Sequence, residues 1–316
     1  MNIPIFLASD ENYAPFLCTT LFSILKHTES FIEFYVLDGG IENKSKILIE
    51  QSLSQFKNYS IKYLNMAEFD LERFPNIRHY SLNTFSRYFI PQLTPHLEKV
   101  IYIDVDVIVN GDISELYNID LEDKALAAVP ENFYRKNGEY VKENIKPEFK
   151  NTINYFNAGV MLLNIKQFVE NNYSDELIQM TIELFDKLSC PDQDIFNILF
   201  ENNHKLIDYK FNYMPDFYEA YKKIIDSENV DKLDNNAIVY HYTCGKPWKI
   251  KNIRKSGLFW NIANKTQFKD RIKKLLCKNN CFYKHFYERI FSIKNKDCQK
   301  IITILCIKIK LNRKKK

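Results

Sequence analysis

The sequence predicts an α/β fold, a largely parallel sheet flanked by helices, with a basic helical tail at its C-terminus. Three observations predict it. Apolar runs of strand length alternate with amphipathic runs of helical period near the N-terminus, which implies parallel strands joined by crossover helices. Of the ten residues Val100–Val109, seven are Val or Ile, the density of a strand buried on both faces. Charge is split unevenly: residues 263–316 carry 17 Lys or Arg against 3 Asp or Glu, and residues 1–262 carry 27 against 37. The split divides the chain into a globular domain over 1–262 and a tail over 263–316 that meets something anionic.

Taken in order, "IPIFLAS" is an apolar strand closed by the polar turn "SDENYAP". "FLCTTLFSILKH" has helical spacing, "IEFYVLD" is a second strand, and "GGIE" turns the chain into the amphipathic helix "ENKSKILIEQSLSQF". "YSIKYLNM" is a third strand, and Val100–Val109 a later one deep in the same sheet. Ligands of such sheets bind at the carboxyl ends of the strands. Asp10, after the first strand, and Asp104 with Asp106 could share that edge.

With 316 residues, 46% hydrophobic and 15% aromatic, the chain can bury a large core. Only 7 Gly and 10 Pro against 20 Tyr and 24 Phe exclude a low-complexity protein. "MNIPIFLASDENY" lacks the basic start and the apolar length of a signal peptide. No run reaches the roughly 18–20 apolar residues of a spanning helix. Seven Cys without regular spacing fit a reducing compartment, with cysteine used as a small apolar residue.

The tail mixes Lys and Arg with aromatic and aliphatic residues. Phe282, Phe286 and Ile290 fall four apart on one helical face, the pattern of an interfacial helix on anionic lipid. A packed C-terminal helix with a solvated basic face and a nucleic-acid arm are the alternatives. The aliphatic run "IITILCIKIKL" favours a membrane surface over nucleic acid.

Asp104 and Asp106 are two apart, so on a strand both carboxylates face one way, where repulsion and burial are costly. A chance pair on an exposed edge is at odds with the Val and Ile around it. A calcium loop of the EF-hand type fails, because Ile108 and Val109 stand where Asp or Asn and then Gly are required. A divalent cation bridging the protein to a diphosphate remains, and it turns the repulsion into affinity. The chain has no glycine-rich phosphate turn after its first strand and no P-loop, so carboxylates with a metal would replace them. His241 in "IVYHYTCGKPW" adds an imidazole, which favours Mn²⁺ over Mg²⁺. Lys246 could neutralise a phosphate that the metal does not reach.

"RYFIPQLTPHLEKVIYIDVDVIVNGDISELYNIDL", "YFNAGVMLLN", "PDQDIFN" and "HYTCGKPW" follow "ASDENY" in that order. Together they resemble the motifs of glycosyltransferase family 8, in particular bacterial lipo-oligosaccharide and lipopolysaccharide galactosyl- and glucosyltransferases. The likeness runs from about Ile3 to Trp248. It implies a nucleotide-diphosphosugar transferase fold of the A type, with a Rossmann-like mixed sheet. It also implies Mn²⁺, with Mg²⁺ as the alternative, and hexose transfer from a UDP-sugar with retention at the anomeric carbon.

By that resemblance Asp104, Asp106 and His241 hold the metal, and Val105 joins the nucleotide-sugar site between the two carboxylates. Ala8, Asp10 and Asn12 meet the uridine, and His79 lines the nucleotide side. Arg87 contacts the donor sugar or phosphates, Asn157 and Ala158 the sugar, and Gly245 and Lys246 the diphosphate. Asp192 and Gln193 sit beside the sugar ring as the catalytic candidates. An ungapped alignment puts the family's acidic residue after "ALAAVP" on Glu131. Plainer roles exist for each residue alone: Arg87 as an ion-pair partner, His79 as a satisfied imidazole, Asn157 as a turn residue, Asp192 as a helix N-cap.

The implied donor is UDP-galactose, with UDP-glucose as the alternative. The implied acceptor is a lipid-linked oligosaccharide on the inner face of the bacterial inner membrane, with the enzyme cytoplasmic and peripheral and no nucleic-acid partner. A metal-dependent nucleotidyltransferase and an inactive UDP-sugar binder are the competing classes.

Overall fold

A computed structural model describes residues 2–69, 74, 82–131, 135–136, 139–140, 154–188, 190–277, 291–296, 299–304 and 307–312. The strands are β1 Asn2–Ser9, β2 Phe31–Asp38, β3 Tyr59–Asn65, β4 Lys99–Ile103, β5 Val107–Val109, β6 Leu126–Pro130, β7 Arg135–Lys136, β8 Glu139–Tyr140, β9 Phe156–Asn164, β10 His204–Leu206, β11 Val239–His241, β12 Phe291–Lys296, β13 Gln299–Ile304 and β14 Ile307–Asn312. The helices are α1 Ala14–His27, α2 Asn43–Leu53, α3 Ile90–Leu93, α4 Ser114–Tyr117, α5 Ile165–Glu170, α6 Tyr173–Leu184, α7 Pro191–Leu199, α8 Tyr218–Tyr221, α9 Ser227–Asn236 and α10 Ser256–Ala263.

Seven strands form one mixed sheet in the order β3-β2-β1-β4-β9-β6-β10. Neighbours are parallel except β9, which is antiparallel to both β4 and β6. β1 shows why the centre of the sheet is apolar. Ile3, Ile5 and Leu7 enter the core layer under α1, while Phe6 points into the layer on the other face. Strands covered on both sides need apolar residues at every position. The chain leaves β1 towards β2 and β3, then returns to pair β4 with β1's other edge. That reversal opens a crevice at the carboxyl ends of β1 and β4, where Asp10 and Asp104 stand.

The expected strand over Val100–Val109 is broken. β4 ends at Ile103, residues 104–106 turn, and β5 leaves the sheet to pair with β11, Val107 opposite His241. Asp104 still donates its backbone N–H to the Gly159 carbonyl at 2.8 Å. Two carboxylates inside a buried sheet would lie unsolvated side by side; the turn gives them a cavity instead. α1 holds the turn with a polar stripe at helical spacing. Thr20 donates to the carbonyls of Val105 and Val107 at 3.1 and 3.0 Å, and the Ser23 hydroxyl accepts from the Val109 N–H at 3.0 Å. Cys18 on the same helix is buried, which pushes its thiol up to about 12, as suits a small apolar residue.

Packing continues past residue 262. Ala263, Phe268 and Ile272 are buried in the core layer that includes α1, and Arg271 pairs with Glu11 at 2.7 Å. A further helix spans 269–277. The sequence predicts a helical tail; its residues 291–296, 299–304 and 307–312 instead pair as the antiparallel strands β12, β13 and β14. The alternation in "IKIKLN" has the period of a strand, and β-branched density outweighs helical spacing there. Phe282, Phe286 and Ile290 lie outside the described residues. Among the described residues no helix is long and apolar enough to cross a membrane.

Candidate active site

A cavity of about 790 Å³ opens over the carboxyl ends of β1 and β4. Its floor is the 104–106 turn. Arg87, from the 3-10 helix Leu82–Phe89, is 5% exposed and reaches across that floor. It donates to Asp104 Oδ1 at 3.0 Å and to the Ala158 carbonyl at 2.8 Å, and its Nη1 lies 3.1 Å from Asp192 Oδ2. Its guanidinium sits 4.3 Å over the Tyr102 ring, and the Tyr102 hydroxyl donates to Asp104 Oδ1 at 2.8 Å. One buried cation thus orients two carboxylates from different strands and helices.

Asp192 lies in the first turn of α7, whose N-cap is Cys190, so it is not itself the cap. Burial raises its carboxyl above the usual range, with Arg87 opposing and Asp104 reinforcing the rise. Gln193 is fully committed. Its Oε1 accepts from Asn157 Nδ2 at 3.0 Å and the Ala158 N–H at 3.1 Å. Its Nε2 donates to Glu131 Oε2 at 3.1 Å and the Tyr155 hydroxyl at 3.0 Å. Asn157 is a β9 residue rather than a turn residue, and its Nδ2 also donates to Glu131 Oε2 at 2.7 Å.

His241 ends β11 and is 3% exposed. Its Nε2 is 3.1 Å from Asp106 Oδ1 and 3.9 Å from Asp104 Oδ2. Lys246 donates to Asp106 Oδ2 and to the carbonyls of Tyr242 and Thr243. Burial would raise the Asp106 carboxyl, but Lys246 and His241 outweigh it and hold the group well below the usual carboxylate range. Burial likewise works against the Lys246 charge, and Asp106 restores it.

The residues fit a divalent cation. Ligand atoms of Asp104, Asp106 and His241 lie within 4.8 Å of one another. Asp106 Oδ1 is buried, with no well-aligned hydrogen bond and only His241 Nε2 beside it at 3.1 Å, an arrangement that needs either a protonated imidazole or a metal cation between the two. The space is kept open by Gly159 in β9. A Cβ there would stand 2.3 Å from His241 Cε1 and 2.7 Å from Asp104 Oδ2. Two carboxylates with one imidazole suit a borderline ion such as Mn²⁺.

Of the residues expected in the site, Ala8, Asp10, Arg87, Asp104, Val105, Asp106, Asn157, Ala158, Asp192, Gln193, His241 and Lys246 line this one cavity. Gly245 lies outside the lining, its N–H donating to Asp216 Oδ2 at 2.6 Å, so it shapes the loop that carries Lys246. Asn12 is exposed in the turn before α1, and its neighbour Tyr13 lines the cavity instead. His79 lies outside the described residues. Gly159, Asn212 and Tyr102 also shape the site, and no motif in the sequence singles them out. A glycine inside so apolar a strand, in a chain with only 7, is the one signal that could have marked a close approach.

The sequence model of Glycosyl transferase family 8 matches residues 4–252. The chain belongs to glycosyl transferase family 8. A candidate glycosyltransferase of Haemophilus influenzae is 32% identical over 303 residues, 96% of this chain and 88% of that protein. The lipopolysaccharide 1,2-glucosyltransferase of Escherichia coli is 21% identical over 90% of this chain and 87% of its own length. The crystal structure of galactosyltransferase LgtC in complex with donor and acceptor sugar analogues superposes with a TM-score of 0.70 at 28% identity, covering 84% of this chain and 96% of that one. The mixed sheet and flanking helices are thus those of an A-type glycosyltransferase.

Proposed function

We propose that this family 8 protein is a retaining, Mn²⁺-dependent hexosyltransferase that moves galactose from UDP-galactose to a lipopolysaccharide or lipo-oligosaccharide core sugar. The observation that carries the reading is the cluster of Asp104, Asp106 and His241, with its ligand atoms turned into one space and flanked by the cations of Arg87 and Lys246. The likeness to a galactosyltransferase supports galactose, and the likeness to a lipopolysaccharide glucosyltransferase supports the acceptor class and makes glucose the alternative donor.

Asp104, Asp106 and His241 would hold the cation, which when bound offsets charge on the diphosphate of departing UDP. Lys246 places a second positive charge where that diphosphate leaves. Arg87 fixes Asp192, whose carboxylate faces the sugar and steadies its oxocarbenium character. Gln193 is a poor nucleophile because its amide is neutral and every polar atom is already bonded. Attack on the face that UDP vacates, with the acceptor hydroxyl proton passing to a diphosphate oxygen, then accounts for retention. Ala8 and Asp10 are assigned to the uridine, and Asn157 and Ala158 to the donor sugar.

The catalytic unit over 1–262 would be held at the inner face of the membrane by the basic tail over 263–316, raising the effective concentration of a lipid-linked acceptor. Because Phe268 and Ile272 are buried in the body, the test of this point is a chain ended after residue 277. It should lose binding to anionic liposomes and keep activity on a soluble acceptor; loss of both counts against the anchor.

The test of the activity is UDP release from UDP-galactose and UDP-glucose, with Mn²⁺, Mg²⁺ or EDTA, with and without lactose. Mn²⁺-dependent release from one donor, abolished by Asp104→Asn with Asp106→Asn, names the sugar. Absence of Mn²⁺-dependent UDP binding sinks the reading.

A further inference from the structure

We infer that Asn212 is a positioning residue that holds the His241 imidazole with Nδ1 protonated and the Nε2 lone pair turned toward Asp104 and Asp106. The inference rests on the cation reading above and adds a residue to it. Asn212 is fully buried at the end of the 3-10 helix Tyr209–Phe211 and belongs to none of the motifs.

The orientation of each amide in the chain of hydrogen bonds follows from groups whose roles are fixed. The Gly159 backbone N–H lies 2.9 Å from Asn157 Oδ1; a backbone N–H only donates, so that Asn157 atom is the oxygen. The Asn157 Nδ2 at the other end meets the Glu131 carboxylate at 2.7 Å, an acceptor when ionised. Asn157 is therefore anchored at both ends. The Asn212 atom 2.7 Å from Asn157 Oδ1 must be a donor, so it is Nδ2. That turns Asn212 Oδ1 toward His241 Nδ1, 2.9 Å away, and Nδ1 must carry a proton. In the neutral ring Nε2 then carries the lone pair. It points at the space shared with Asp106 Oδ1 at 3.1 Å and Asp104 Oδ2 at 3.9 Å.

A lone pair facing two carboxylate oxygens is a repulsive arrangement unless a proton or a metal cation lies among them, and the two compete for the same Nε2. The same space is bounded by the Asp106 oxygen that faces Nε2. Partners of this kind behind a ligating histidine fix its tautomer, and their loss typically costs about 10–100-fold in metal affinity. Gly159 contributes twice, as the N–H that sets the amide chain and as the missing Cβ that leaves room for the ring.

The experiment uses the full chain labelled with ¹⁵N-histidine, freed of metal with EDTA, at a pH above the imidazole titration. His241 is assigned by its loss in His241→Asn. The parent should show the Nδ1–H tautomer, and Asn212→Leu should abolish that preference. Calorimetric titration with Mn²⁺ alone should show affinity falling about 10–100-fold in Asn212→Leu and falling less in Asn212→Asp, which keeps an acceptor facing Nδ1 while losing the donor to Asn157 Oδ1. A parent with the Nε2–H tautomer overturns the assignment. Equal losses in the two variants reduce Asn212 to a packing residue and overturn it too. Parent protein that binds no Mn²⁺ would sink the cation reading instead, while the tautomer spectrum would still decide the role of Asn212.

Discussion

Two aspartates, half-buried Asp106 and buried Asp234, each sit against basic side chains, yet their surroundings differ. Asp234, in α9, has both carboxylate oxygens bonded. Oδ1 accepts from the Tyr213 hydroxyl and from Arg254 Nε, each at 2.8 Å. Oδ2 accepts from Arg254 Nη2 at 2.7 Å, with Lys255 Nζ at 3.2 Å. Asp106 has Lys246 on one oxygen and only the His241 Nε2, 3.1 Å away, facing the other. A closed set of bonds ties α9 to the segment before α10 and has no capacity left for a ligand. An open set stores unmet attraction for a cation. Charge and burial alone do not separate structural from functional carboxylates; satisfaction does.

The strongest way to break this contrast is to neutralise the open site. Asp104→Asn should lower Mn²⁺-dependent UDP release by at least about 10²-fold. Its fold should survive, because Arg87 keeps Asp192 and the Ala158 carbonyl, so the melting temperature should move by no more than about 2 °C. A collapse of stability would show that Asp104 is structural after all. Next comes Gly159→Ala, which puts a methyl 2.3 Å from His241 Cε1. Crowding of this kind costs about 1–3 kcal/mol, and here it should appear both in denaturant unfolding and as weaker Mn²⁺ binding.

Asp234→Asn should do the reverse of Asp104→Asn. Loss of the charged acceptor should cost about 1–3 kcal/mol in urea unfolding, the lower end being expected because Arg254 is 40% exposed, with Mn²⁺ affinity unchanged. Burial pushes the Asp234 carboxyl up, but Arg254, Tyr213 and Lys255 outweigh it and leave it below the usual value. A depressed carboxyl contributes stability that is present above the unfolded value, about pH 3.9, and lost as pH falls through the lower folded value. The parent should therefore lose stability below about pH 4 more steeply than Asp234→Asn, as followed by unfolding across an acid series.

Much of the open site was legible in the sequence, and almost none of the closed one. Asp104 with Asp106 conflicts with the Val and Ile around it, and such local conflict marks function. The parallel half of the sheet was legible from its alternation of strand and helix. The break after Ile103 was not, since periodicity continues across it and the bonds that hold the turn come from α1, β9 and the segment after β11, all distant in sequence. Asn212 and Gly159 escaped because their roles depend on where β9 and β11 meet. Asp234 escaped because an Asp in "VDKLDNN" looks like any solvated helix residue until Arg254 and Tyr213 fold onto it.

The smallest expected effect gives the sharpest test of independence. Arg254 packs 3.4 Å over the Tyr218 ring, and a cation over an aromatic face at a partly exposed site contributes about 0.5–1 kcal/mol. Tyr218→Leu should lower stability by at least that amount, since the hydroxyl also donates to Asp231 and Lys222 lies 4.4 Å over the same ring, and leave Mn²⁺ affinity alone. Combined with Asp234→Asn it should cost less than the sum, because both changes act through the same guanidinium. Yet Tyr218 directly follows Phe217, which lines the cavity, and Asp216, which holds the Gly245 N–H. If Tyr218→Leu weakens Mn²⁺ binding, the 3-10 helix Pro215–Phe217 couples the two aspartate clusters, and the closed one is a support for the loop of Lys246 rather than a separate clasp.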